Sequence, residues 1–107
     1  MTLFKITAEW CKNCNILSDS LKPYNINFIN INIDYIDDIK NDFINSYNED
    51  LYNIIDKVDK LPTIIITNDK YEYLDRFSGY NNNRFNELLD FLKKYNVITN
   101  LDYNEEF

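Results

Sequence analysis

The chain has 107 residues, 45% of them hydrophobic and 27% charged, a balance that builds one ordinary core and excludes both a multi-domain machine and a disordered chain. Eleven Lys and Arg against 18 Asp and Glu give a net charge of −7, the wrong sign for holding nucleic acid by its phosphates. Without any histidine, imidazole acid–base catalysis, His-activated nucleophiles and most zinc or non-haem iron sites are excluded, and no apolar run approaches the roughly 18 residues of a membrane span.

Leu3 to Thr7 is a short β-prone run, and Cys14, Leu17 and Leu21 then recur at helical spacing from Cys11 onward, until Pro23 stops the helix. Asn25 to Asp34 alternates Ile29, Ile31 and Ile33 with Asn and predicts a strand. From Tyr35 to Lys60 apolar residues recur at three and four, including Ile39, Phe43, Ile44, Leu51 and Ile54, which predicts helix throughout. Ser46 with Glu49 reads as a capping box that breaks this stretch near Tyr47. The charges Asp37, Asp38, Asp42, Glu49 and Asp50 read as its solvated face.

Leu61-Pro62-Thr63 leads into Ile64, Ile65 and Ile66, a buried strand, and Asn68-Asp69 suits a two-residue hairpin turn into Tyr71 to Phe77. Ser78-Gly79 holds the chain's only glycine. Phe85, Leu88, Leu89, Leu92 and Tyr95 mark an amphipathic helix, with Lys93 and Lys94 complementing its C-terminal dipole. The order β, α, β, α, β, β, α implies an α/β domain at 1–95, with an enlarged helical segment at 35–60 and an acidic tail at 96–107. Two parallel strands joined through a helix, followed by an antiparallel hairpin, give a four-stranded mixed sheet flanked by helices.

The chemistry gathers at Trp10-Cys11-Lys12-Asn13-Cys14, two cysteines three apart where a helix follows the first strand. Free N–H groups at a helix start favour a thiolate and bring a cysteine pKa from about 8.5 into roughly 3.5–7.5. On this reading Cys11 is the exposed nucleophile and Cys14 the resolving thiol one turn deeper. Three other readings stand beside it. A metal or cluster site needs further soft ligands, which one chain lacks and only a site shared between subunits supplies. A structural disulfide over so short a loop removes little entropy from the unfolded chain. The third reading is a pair of inert cysteines.

The segment Ala8-Glu9-Trp10-Cys11-x-x-Cys14 resembles the active-site segment of the thioredoxin family. Asn32-Ile33-Asp34 resembles the end of the family's next strand, Leu61-Pro62-Thr63 its cis-proline loop, and Ser78-Gly79-Tyr80 its glycine turn. The resemblance covers residues 1 to about 95 and implies a thioredoxin-like fold in which Pro62 is cis and faces the cysteine pair. It further implies that Trp10 covers one side of the disulfide and that Leu61, Pro62, Ser78 and Gly79 border a groove for an extended client. Read from the residues alone, Trp10 is a core side chain, Pro62 a strand start and Gly79 a turn residue.

The chain departs from the family in several places. It starts at the first active-site strand, without the N-terminal strand and helix of full thioredoxins, and so has glutaredoxin size, yet it carries L-P-T in place of the T-V-P typical of glutaredoxins. The stretch from Asp34 to Pro62 is much longer than the family's. Lys12-Asn13 stands between the cysteines, and Lys5 stands where thioredoxins bury an aspartate. Lys5 and Lys12 are therefore candidate modulators of the thiol pKa values, although a strand lysine also snorkels to water without touching the site.

The function implied is a dithiol oxidoreductase that reduces protein disulfides, acting as a cytoplasmic monomer with no cofactor and no metal. Its implied partners are disulfide-containing clients such as ribonucleotide reductase, and a thioredoxin-reductase-like electron donor. A redox-inactive binding module and a glutathione-dependent glutaredoxin are the alternatives. The AT-rich codon character of the Asn, Ile, Lys, Tyr and Phe that dominate the chain fits a viral or phage origin.

Overall fold

A computed structural model of the chain describes residues 1–98. It is an α/β domain in which strands β1 (Thr2–Thr7), β2 (Ile29–Asn32), β3 (Thr63–Thr67) and β4 (Tyr73–Ser78) form one mixed sheet in the order β2-β1-β3-β4. Helices α1 (Lys12–Leu21), α2 (Lys40–Ser46), α3 (Glu49–Asp56) and α4 (Phe85–Lys94) cover its two faces. β1 runs parallel to β2 and antiparallel to β3, and β3 runs antiparallel to β4. The crossover from β1 to β2 through α1 is the connection that a parallel pair requires. This is the thioredoxin-like arrangement expected from the sequence.

The two-residue period of β1 divides the core. Phe4 and Ile6 point to one face, where they join Ile31, Ile65, Phe43, Leu51 and Ile55 beneath α2 and α3. The opposite face carries Ile64 and Ile66, packed with Leu17 and Leu21 of α1 and Leu88 and Leu92 of α4. β3 is covered on both sides, and all five of its residues are buried. Its two buried threonines stay satisfied, since the Thr63 hydroxyl donates to the Lys60 carbonyl (2.6 Å) and the Thr67 hydroxyl to that of Asn68 (3.1 Å).

Three elements differ from the sequence reading. β2 occupies only Ile29–Asn32 of the run from Asn25 to Asp34. Asn25 sits in the left-handed region at φ 53°, closing a 3₁₀ turn (Lys22–Tyr24), and the Asn32 side chain accepts from the Asp34 N–H (2.9 Å) to start another (Ile33–Tyr35). Local turn chemistry at both ends overrides the alternation between.

The stretch 35–60 breaks at Tyr47 and Asn48, but Ser46 is the last residue of α2 and caps nothing. The cap of α3 is Asn48, whose Oδ1 accepts from the Leu51 N–H (2.7 Å) while its Nδ2 donates to the Tyr71 carbonyl (3.1 Å). The segment from 57 to 60 lies beyond α3, outside any helix.

The β3–β4 connection is also larger than two residues. The register shifts between Ile66 and Thr67, Tyr71 takes φ 62°, and Asn68 Oδ1 accepts from the N–H groups of Lys70 (2.9 Å) and Glu72 (3.0 Å). The longer loop lets the Tyr71 ring meet Tyr47 edge-on, with centroids 4.7 Å apart.

After α4, Val97 and Ile98 still pack into the core beside Leu92. The remainder of the expected acidic tail, 99–107, lies outside the described residues. Tyr95 donates to Asp75 Oδ2 at 2.6 Å, tying α4 to β4 and holding the Asp75 carboxyl below its ordinary pKa. No helix among the described residues is long and apolar enough to cross a membrane.

Asn48 serves α3 and the β3–β4 loop at once, so Asn48→Ala should cost more than a simple cap, about 1–2 kcal/mol. Chemical denaturation should show a lower midpoint with an unchanged m-value; an unchanged midpoint would remove Asn48 as the link between the enlarged segment and the sheet.

Candidate functional site

β1 ends at Thr7, and the chain turns through Ala8, Glu9 and Trp10 before α1 starts. The turn closes with the Cys11 N–H donating to the Ala8 carbonyl (3.1 Å). Cys11 is the N-cap of α1, with extended backbone at φ −85° and ψ 104°. Its sulfur accepts from the Cys14 N–H at 3.1 Å. A sulfur thus stands where Ser or Asp usually caps a helix, on one of the free donors of the first turn.

Cys11 and Cys14 form a disulfide with Cα atoms 5.2 Å apart. Ala8, Ile33 and Leu61 pack around it. Cys14 is 2% exposed, as expected of the deeper thiol, but Cys11 is only 6% exposed where the sequence reading had it open to solvent. Cys11 is packed among Ala8, Cys14, Ile33 and Leu61 and borders a groove.

That groove encloses about 520 Å³. One wall is the start of α1, with Cys11, Lys12 and Asn13, and the other is the α3–β3 connection, with Val58, Asp59 and Leu61; Ile33 and Trp10 complete it. Trp10 is 69% exposed, and its indole N–H donates to Asp34 Oδ2 (2.9 Å). This bond fixes the ring at the rim of the groove. Val58 reads from the sequence only as a member of the apolar repeat of 35–60 and Asp59 not at all, and the one available signal for a place at the site was their position just before Leu61-Pro62.

The Leu61-Pro62 peptide bond is cis, as the resemblance implies. Pro62 itself is buried and lies outside the groove lining, as do Ser78 and Gly79, so of these four residues only Leu61 borders it. The other three are joined behind it. The Gly79 N–H donates to the Pro62 carbonyl (2.8 Å), and Gly79 takes φ 74°, a conformation that suits glycine. Arg84 holds this turn: Nη1 donates to the carbonyls of Ser78 and Gly79, both at 2.7 Å, Nε pairs with Glu87 (3.1 Å), and the guanidinium lies 4.2 Å from the centroid of Phe77. The sequence reading passed over Arg84 because a single arginine before a helix carries no pattern.

Lys5 makes no hydrogen bond to a cysteine. Its Nζ donates to Ser18 Oγ (3.0 Å), one helical turn beyond Cys14, and stands 5.1 Å from the centroid of Phe28. Burial lowers its pKa from the ordinary lysine value. Lys5, Ser18 and Cys14 line one small polar cavity of about 200 Å³ together with Glu9 and Asn30. Among the described residues no cluster of His, Cys, Asp or Glu has the makings of a metal site.

Comparison of the chain with family models, with curated proteins and with solved structures finds no match. The chemistry available to the site therefore rests on its geometry. A sulfur capped by a helix N–H, joined to a buried partner and reached through an apolar groove, is equipped for thiol–disulfide exchange.

The Arg84 clamp supplies a test of how the cis-proline loop is held. Arg84→Met keeps an apolar stem against Phe77 but removes both carbonyl bonds, and should lower stability by about 1–3 kcal/mol. Thermal unfolding checks this, and an unshifted midpoint would show that the Gly79 turn stands without the guanidinium.

Proposed function

We propose that the protein is a thiol–disulfide oxidoreductase of thioredoxin-like type that reduces disulfides in client proteins. The observation that carries this reading is the Cys11–Cys14 disulfide at the start of α1, with the Cys14 N–H on the Cys11 sulfur and a groove opening beside it.

In the reduced protein the Cys11 thiolate attacks one sulfur of the client disulfide. The other client sulfur leaves as a thiolate and takes a proton from solvent. Cys14, once deprotonated, then attacks the Cys11 sulfur of the mixed disulfide and releases the second client thiol. The client gains two electrons and two protons, and the protein is left as the disulfide. A further round needs a dithiol or NADPH-linked reductant, for which a thioredoxin-reductase-like protein is the partner the resemblance suggests, with ribonucleotide reductase as one candidate client. The helix-capping N–H favours the thiolate at Cys11, both as the attacking group and as the leaving group when the protein is reduced again.

The reading is tested by reduction of insulin disulfides, run in parallel with NADPH and thioredoxin reductase and with glutathione as reductant. Turnover with the first assigns the thioredoxin type, turnover with the second alone assigns the glutaredoxin type, and a disulfide that cycles with neither leaves a binding module. Cys14→Ser should accumulate a mixed disulfide with client proteins on a non-reducing gel and Cys11→Ser should not. Faster alkylation of Cys14 than of Cys11 in the reduced protein at neutral pH would reverse the assignment.

Lys5 belongs to the same chemistry. An ammonium held by Ser18 in a cavity shared with Cys14 favours a thiolate there over a thiol, which stabilises the reduced form. Lys5→Met should raise the pKa of the Cys14 thiol and make the disulfide less oxidising, by about 30 mV for each 1.4 kcal/mol of lost thiolate stabilisation. Equilibration with a dithiol of known potential measures it, and an unchanged potential would leave Lys5 a purely structural strand residue.

A further inference from the structure

The groove beside Cys11 has one wall that the cysteine motif does not account for. Val58 and Asp59 come from the end of the enlarged segment, which brings them opposite Lys12 at the start of α1. Val58 extends the apolar surface of Leu61 and Ile33, and Asp59 adds an exposed carboxylate that has no ion-pair partner among the described residues. Lys12 is the only cation in the described lining, and it directly follows Cys11 in the chain. Around Trp10 the balance is acidic. Glu9 precedes it and Asp34 accepts its indole N–H, while the chain as a whole carries a charge of −7.

From this arrangement we infer that the groove selects clients in which the disulfide cysteine is flanked by an apolar side chain and, beyond it, a Lys or Arg. The apolar side chain lies against Val58, Ile33 and Leu61, and the basic one reaches Asp59. The inference rests on the oxidoreductase reading for its chemistry but on the groove alone for its recognition. An unpaired carboxylate at the rim of an apolar groove attracts a cation without first giving up a partner, and the chain's net charge of −7 raises the rate of encounter with basic segments, although Lys12, Lys57 and Lys60 lie in the groove lining or close to Asp59 in the chain. Because Asp59 is exposed, the discrimination is modest, about two- to fivefold, and salt-sensitive. The enlarged helical segment thereby has a role at the site: it delivers the selecting wall.

The experiment uses two short disulfide-bonded peptides identical except for a basic or an acidic residue two positions from the cysteine, with dithiothreitol as the reductant that completes each cycle. The wild-type protein should reduce the basic peptide with a kcat/KM about two- to fivefold higher than the acidic one, and raised salt should shrink the difference. Asp59→Lys should reverse the preference and Asp59→Asn should abolish it; both changes fall at an exposed position outside the helices and strands, and a far-UV spectrum checks that they fold. Equal kcat/KM for the two peptides in the wild type, or a preference that survives in Asp59→Lys, overturns the inference. Versions of the peptides with Ser for Cys separate recognition from chemistry, since Trp10 is the chain's only tryptophan and its fluorescence reports occupancy of the groove it lines. If those peptides bind with the predicted preference while no disulfide is reduced, the oxidoreductase reading fails and the inference stands. Turnover without any preference overturns the inference and leaves the oxidoreductase reading intact.

Discussion

The antiparallel register between β1 and β3, which sets Ile6 opposite Thr63, is the constraint on which the site depends. Continuing that pairing past the end of each strand brings the turn that begins at Ala8 alongside Leu61 and Pro62. The disulfide can then pack against Leu61 although half the chain separates them. A slip of one residue would turn Phe4, Ile6 and Ile65 out of the core beneath α2 and α3, so the register is enforced by the buried area on both faces of the sheet. The precision of the site is thus inherited from the hydrophobic core.

From that register outward, each part of the site is held by a part further from the chemistry. The cis bond before Pro62 is followed by a carbonyl that accepts from Gly79, and the Gly79 turn is in turn held by Arg84 at the entry to α4. On the other side of the sheet, Asn48 joins α3 to the β3–β4 loop, and the ring of Tyr47 wedges between Phe4, Phe43 and Tyr71. The two layers differ in what they lend the sulfurs. The layer of α1 and α4 gives the helix terminus and the lysine cavity, whereas the layer of α2 and α3 gives the far wall of the groove.

Much of this was legible in the sequence because the signals were local. Ile64, Ile65 and Ile66 could only be a covered strand, Leu88 and Leu92 only the inner side of a helix, and the cysteines three apart after a strand could only open one. Legibility failed where a side chain answers to a distant partner. Ser46 and Asn48 are both plausible caps, and what favours Asn48 is a carbonyl at Tyr71, 23 residues on. The turn after Thr67 looked short because Asn68 and Asp69 tolerate a tight hairpin, yet the shift at Ile66 and the Tyr71–Tyr47 contact select a longer loop. Asp59, Arg84 and Ser18 escaped notice for the same reason, since each acts across the fold and none forms part of a repeating pattern, while Val58 read only as the last member of the helical apolar repeat of 35–60.

The outer strands carry a consequence of their own. A sheet with open edges can recruit a strand from another molecule, and soluble proteins suppress this with short, charged or irregular edges. Here β2 has only four residues and ends in the Asn32 turn, while β4 sets Asp75 and Arg76 in its middle and meets β3 through a shifted register. Neither border is a good template for a foreign backbone. For the proposed oxidoreductase, a client segment that arrives extended, with its own hydrogen-bonding groups unspent, therefore finds little competition from the flanks of the sheet. Under the proposed function, this directs such an encounter to the end of the sheet where the sulfurs lie and away from the edges that would otherwise capture the client.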